Sequence, residues 1–323
     1  MTPAGSILAR QIAGCGPIPF RRFMEVALYH PEHGYYRRQR DPFGRRGDYF
    51  TAAQLQPVFG MLVAARVRAL WQEMGRPEDF CVVELGPGRG EMASAFSGFR
   101  YMAVEFGGWW PERFCGLVFA NEFFDALPVD LAVFRGGSFR ELRVDYRGGR
   151  FLWSIGPPLR AEAAAYAEQY GLFREEGWIL EIPLVALGWI KEIARRLERG
   201  FLFLIDYGYT ARELARFPQG TLMSYRRHCA IADVLARPGE QDITAHVCFT
   251  ALEDRARACG FRRVAFESLA QTLLDAGRPD EFASVLADST PAGSLRRRLQ
   301  LKTLLYGMGE SFRTLLLAKE AGQ

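Results

Sequence analysis

No apolar run in the 323-residue chain reaches about 18 residues, the length a membrane-crossing helix needs, so no membrane span is expected. No two cysteines form a C-x-x-C pair. Cys15, Cys81, Cys115, Cys229, Cys248 and Cys259 are scattered. His228 directly before Cys229, and His246 two before Cys248, match no standard zinc spacing. No metal is therefore expected, and reduced, mostly buried thiols in a cytoplasmic location are the simplest reading. Charge of one sign is lacking too: 41 basic and 37 acidic residues leave a net +4, and the two kinds are interleaved. That is not the footprint of a nucleic-acid binder, and Arg296-Arg297-Arg298 reads as a solvated helix face. There is no repeat and no low-complexity tract. The first residues carry Arg10, Arg21 and Arg22 without a signal-peptide core.

What is present is a globular composition, 49% hydrophobic and 24% charged. The length suits one large α/β domain with additions, or two lobes. Residues 1–29 read as helical, ending at the turn Pro31-Glu32-His33-Gly34, and an Arg- and Gly-rich loop follows. Residues 58–74 have helical apolar spacing. Then short apolar strands begin, at 80–85, 101–105, 117–120 and 201–205, separated by helix-length segments such as 89–96. This indicates a mostly parallel, doubly wound sheet. Residues 131–153 alternate and carry Gly136-Gly137 and Gly148-Gly149, an antiparallel excursion closed by Pro157-Pro158. Residues 161–171 and 183–198 read as helices, and the tail ends in a strand at 312–318.

In a doubly wound sheet, ligands sit outside the carboxyl ends of the strands. Here those ends carry Gly86-Pro87-Gly88-Arg89-Gly90, Glu105, Asn121-Glu122 and Asp206. Glycines in a strand-to-helix turn let backbone N–H groups approach a ligand closely. A dinucleotide turn normally reads G-x-G-x-x-G. Gly86-x-Gly88-x-Gly90 preceded by Glu84 departs from that spacing, which counts against a nicotinamide-dependent oxidoreductase. A carboxylate there suits the ammonium of S-adenosylmethionine better than a pyrophosphate. Glu105, 21 residues after Glu84, can accept both ribose hydroxyls of a nucleoside. An ordinary turn without a ligand is the competing reading of the glycines alone.

The chain resembles the MidA-type methyltransferases, which include a mitochondrial complex I assembly factor and many bacterial relatives. The resemblance rests on Phe23-Met24-Glu25, Ala27-Leu28-Tyr29-His30-Pro31 and Gly34-Tyr35-Tyr36, on Gly47-Asp48-Tyr49-Phe50-Thr51, and on Pro57-Val58-Phe59-Gly60. It continues through Glu84-Leu85-Gly86-Pro87-Gly88-Arg89-Gly90 and the highly specific Asn121-Glu122-Phe123-Phe124-Asp125-Ala126-Leu127-Pro128-Val129. Asp206-Tyr207-Gly208-Tyr209, Gly220-Thr221-Leu222, Asp242-Ile243-Thr244-Ala245-His246-Val247 and Met308-Gly309 extend it. The resemblance implies S-adenosylmethionine as cofactor and a class I methyltransferase fold: an N-terminal cap over 1–75, and a Rossmann-like domain over 76–323 with an insertion around 131–175. It implies a protein substrate, with arginine as acceptor and a respiratory-complex subunit as one candidate; a homodimer is a further expectation. Two departures stand out. The stretch between Glu105 and Leu117 is short, and Ala52-Ala53-Gln54 replaces the Ser-Pro-Glu that usually follows Thr51. Both favour the alternative of a cofactor-binding assembly protein that transfers nothing.

Methyl transfer from a sulfonium is an in-line displacement, so the protein mainly aligns the partners. A guanidinium acceptor calls for paired carboxylates. Glu122 and Asp125, with Asp206 as a third, are the candidates. Helix N-terminal charge for Glu122 and a local cap or salt bridge for Asp125 are the alternatives. Asp48 and Thr51 lie in a glycine-preceded loop that can close over the cofactor or be a plain turn. Glu84, Gly86, Pro87, Gly88, Gly90, Glu105 and Asn121 complete the candidate cofactor site. Tyr35 and Tyr36 suit packing, His228 and His246 read best as structural histidines, and Phe123-Phe124 as a buried anchor.

Overall fold

The computed structural model describes residues 1–37, 52–226 and 229–321. Asp48, Thr51 and His228 lie outside the described residues. The chain divides into two compact units, each assembled from separated stretches.

One unit comprises residues 51–124, 189–208 and 252–323. Its sheet uses β1 (Cys81–Leu85), β2 (Arg100–Val104), β3 (Phe114–Asn121), β4 (Leu197–Tyr209), β5 (Phe261–Ser268) and β6 (Phe312–Lys319). They lie in the order β5–β6–β4–β3–β1–β2. The first four strands are parallel to one another, and β6 runs antiparallel to both β4 and β5. The chain passes from β1 out to β2, then back across β1 to β3. The order therefore reverses at β1, which sets the ligand crevice at its carboxyl end. Side chains on both faces of these strands are buried, which explains the apolar runs 81–83 in β1 and 201–205 in β4. On one face Val82, Leu117, Phe119, Phe201 and Phe203 pack with the helices Val58–Glu73 and Leu269–Gly277.

One sequence expectation changes here, while the shortness of the stretch after Glu105 has its structural counterpart. The 89–96 helix does not form; residues 90–99 make successive turns, with Ala93 N–H donating to Gly90 and Phe99 N–H to Phe96. Gly90 and Gly98 bracket the stretch and Ser94 and Ser97 compete for backbone groups, so helix propensity is poor. No helix joins β2 to β3 either. Only residues 105–113, nine in all, make that crossing. Nine residues span about 30 Å extended but about 14 Å as a helix. Descending a five-residue strand and stepping past β1 requires more than the helix could cover.

The other unit comprises residues 1–50, 125–188 and 209–251. Helices Pro3–Cys15 and Phe20–Tyr29 pack on an antiparallel sheet of Ile18–Pro19, Ser138–Arg147, Asp130–Arg135, Ile179–Ile182 and Arg150–Pro158. The glycine pairs 136–137 and 148–149 all have positive φ, as two-residue hairpins demand. A small sheet of Met223–Arg226, Cys229–Ala230 and Asp242–Thr244 completes the unit. This partition differs from a cap over 1–75 with an insertion around 131–175. Helix Val58–Glu73 packs in the parallel-sheet core, because Phe59, Leu62, Val63, Val67 and Leu70 form one apolar stripe facing it. Residues 209–251 fall in the unit of the antiparallel sheet.

Candidate active site

The register builds the site. Ala103, Glu84, Phe119 and Phe203 lie in one row across β2, β1, β3 and β4. Two residues further along in sequence come Glu105, Gly86 and Asn121, each at or just past a strand end. The sheet thus aligns both acids, the glycine turn and the amide in a strip at one edge.

Glu84 is the one acid in an otherwise apolar row, and it is buried. Tyr101 Oη donates to its Oε2 at 2.6 Å. Burial raises its pKa to about 7 against the lowering by that hydrogen bond, and the charges of Glu91 and Glu105 add to the rise. Burial and the same carboxylate push the Tyr101 phenol far up, so it stays a donor. Tyr101 carries no motif, and only the period of two along β2 could have flagged it.

Gly86, Gly88 and Gly90 have φ of 63°, 58° and 74°, left-handed values that glycine adopts without strain. At Gly86 a Cβ would also meet Phe123 Cδ2 at 2.7 Å. The first glycine therefore serves the Phe123 ring of the 121–129 motif as well as the turn. Pro87 accepts from Gly90 N–H at 2.8 Å, and Gly88 is exposed at the apex. Glu105 is exposed just past β2, its carbonyl accepting from Gly108 N–H at 2.8 Å.

Asn121 ends β3 and is buried. Its Nδ2 donates to Glu122 Oε1 at 3.1 Å, while its buried Oδ1 has no partner among the described residues. An orphaned acceptor of this kind costs stability unless a ligand supplies a donor. Its place beside the glycine turn fits the ammonium of an amino-acid cofactor, and exposed Glu105 fits a ribose.

Glu122 stands at φ 51°, a strained value for a residue with a side chain. Its N–H donates to Ile205 at 2.9 Å. Ala52 N–H donates to Oε1 at 3.0 Å and Tyr207 Oη to Oε2 at 3.2 Å. Three donors thus fix the carboxylate. Ala52 heads the Ala-Ala-Gln segment that departs from the family pattern, and it contributes through its backbone, which the replacement leaves unchanged. Asp206 is fully buried. Its Oδ2 accepts from Phe124 N–H and its Oδ1 from Tyr207 N–H, both at 2.9 Å. It orders the turn after β3. Asp125 belongs to the other unit, buried, with its carbonyl accepting from Ala245 N–H. There its charge and that of Asp242 raise the pKa of Tyr225, behind the larger effect of burial. Asp242 also accepts from Tyr36 Oη at 2.8 Å. Burial lowers the pKa of His246, and its backbone N–H donates to Thr221 Oγ1.

A doubly wound sheet with a glycine turn, two acids and an orphaned amide at its switch point defines a nucleoside-cofactor enzyme. The sequence profile of the family described as "Putative S-adenosyl-L-methionine-dependent methyltransferase" matches residues 101–266, and the chain belongs to that family. It is 28% identical to the mitochondrial protein arginine methyltransferase NDUFAF7 homolog of Drosophila melanogaster, over 78% of this chain and 70% of that one. It is 27% identical to the mitochondrial protein arginine methyltransferase NDUFAF7 of Bos taurus, over 98% and 83%. A crystal structure from Burkholderia thailandensis, described as a "likely methyl transferase" bound to S-adenosyl-homocysteine, superposes with a TM-score of 0.89 at 31% identity, covering 99% of this chain and 92% of that one. The cofactor is S-adenosylmethionine, and the fold is the class I methyltransferase fold. The cytoplasmic location expected from the cysteines is overturned: the curated relatives are named as mitochondrial proteins. Scattered reduced thiols do not distinguish among reducing compartments.

Proposed function

We propose that the protein methylates arginine side chains of a protein substrate, with Glu122 as the carboxylate that receives the guanidinium. The observation that carries this is Glu122 itself: a strained backbone at a strand end and three donors that fix its carboxylate. Strain of that kind persists where surrounding structure over-determines it, and it concentrates at functional sites. The names of the curated relatives support the choice of arginine. A respiratory-complex subunit as acceptor, and a homodimer as assembly, rest on the family resemblance alone.

When bound, the cofactor supplies a methyl group on a sulfonium sulfur that leaves as a neutral thioether. The residues of the chain bind and align. Asn121 Oδ1 and Glu84 receive the ammonium, the turn Gly86-Pro87-Gly88 with Gly90 passes close to the amino-acid end, and Glu105 takes the ribose hydroxyls. Asp206 positions the turn that presents Glu122. A carboxylate paired with the guanidinium orients the attacking nitrogen and favours loss of its proton as the new N–C bond forms.

Transfer of labelled methyl to arginine-rich protein, read with calorimetry of S-adenosylhomocysteine, tests the assignment. Glu122→Gln should lower turnover at least about a hundredfold while product affinity changes less than about threefold. Asn121→Leu should weaken that affinity about tenfold or more. Equal turnover for Glu122→Gln would sink the acceptor role. Tight cofactor binding with methyl recovered only on lysine would refute arginine.

A further inference from the structure

Helix Pro291–Lys302, continued through a wider turn at Thr303–Met308, has one face that the fold leaves uncovered. Its inward side is well determined. Leu304 is fully buried, Gln300 Nε2 donates to the Gln56 carbonyl at 2.5 Å, and Arg297 pairs with Asp288 at 3.1 Å while donating to the carbonyls of Val285 and Ala287. The outward side holds Leu295 and Leu299, 59% and 57% exposed, four residues apart and so one above the other on a helix. Tyr306, 80% exposed, extends past them. Arg296 and Arg298 flank the two leucines and Lys302 follows, all exposed, and residues 291–309 contain no acid.

We propose that this face is a docking surface for an anionic lipid membrane, held peripherally by leucine insertion between arginines. Three features of the face select that occupant. It is a single exposed stripe on one helix, which a soft planar surface covers readily. It is basic, so a second copy meeting it through a two-fold axis would bring Arg296, Arg298 and Lys302 against their own images. It joins apolar side chains to flanking cations and a tyrosine, the combination that seats a helix at the headgroup boundary. Each cation near an anionic surface adds attraction that salt screens within a Debye length of about 8–10 Å. The segment neither spans nor anchors; the contact is weak and reversible.

Co-sedimentation of the full chain with phosphatidylcholine vesicles, with and without about one third phosphatidylglycerol, tests this, with salt varied about the physiological ionic strength. Binding is expected to the anionic vesicles at low salt only. Arg296→Glu with Arg298→Glu should reduce it more than tenfold. Leu295→Ser with Leu299→Ser should reduce it severalfold, with circular dichroism and S-adenosylhomocysteine affinity unchanged in both variants. A chain that stays in the supernatant at low salt, or charge reversal without effect, overturns the proposal. So does a dimer in solution that the leucine variant converts to a monomer, because a second copy would then cover the face.

Discussion

At the scale of single residues, Glu84 couples the site to pH. Its folded pKa of about 7 lies above the ordinary value of 4.5. A carboxyl that holds its proton more tightly folded than unfolded makes the native state lose stability as pH rises through that window. The loss begins near 4.5, is complete above about 7, and amounts to about 3 kcal/mol. Glu84→Gln keeps an acceptor for Tyr101 and removes the charge. Urea unfolding should show the two proteins equal near pH 4.5 and the variant more stable by up to about 3 kcal/mol at pH 8. A gap that does not vary with pH would contradict this origin. The position of Glu84 was legible in the chain, but its environment was not, because Tyr101 reaches it from the neighbouring strand, 17 residues away in sequence. Asp206 shows the same limit. Its place after a strand was plain, yet only folding shows that Phe124 N–H consumes one of its oxygens.

At the scale of elements, the strands β1, β3 and β4 start from a glycine contact that no motif announces. A Cβ on Gly116 would lie 2.1 Å from the Cys81 carbonyl oxygen, and one on Gly200 would lie 1.8 Å from that of Gly116. Their φ values, 142° and 138°, are also unfavourable for other residues. Gly116→Ala and Gly200→Ala should each cost more than about 3 kcal/mol in denaturant unfolding, while Gly98→Ala, with open space around it, should stay near neutral. Alternation and apolar runs made the strands visible, along with the two glycine-paired hairpins. They could not show that residues 90–99 stop at turns, since Met92 and Phe96 suit a helix and only the poor propensity of Gly90, Ser94, Ser97 and Gly98 opposes it. The strand Ile179–Ile182 was hidden for the opposite reason: four residues give too little pattern to separate from a helix approach.

At the scale of the molecule, two hydrophobic cores are built from interleaved stretches of chain. Native-state hydrogen exchange should therefore place Val58–Glu73 with the parallel strands rather than with Pro3–Cys15, although the two helices are close in sequence. Exchange of both helices at one shared opening energy, distinct from the strands, would refute that grouping. Interleaving also sets a schedule. Thr2 Oγ1 donates to the Pro238 carbonyl, and Ala4, Leu8 and Ile12 belong to the same core as Val234 and Leu235. A ribosome adding roughly 5–20 residues each second needs roughly 10–50 seconds to bridge that separation. Throughout that interval the first helices have emerged with their apolar faces still awaiting the residues that cover them. The order of synthesis thus leaves those faces uncovered until residues 234–238 follow, and slower translation would lengthen that interval.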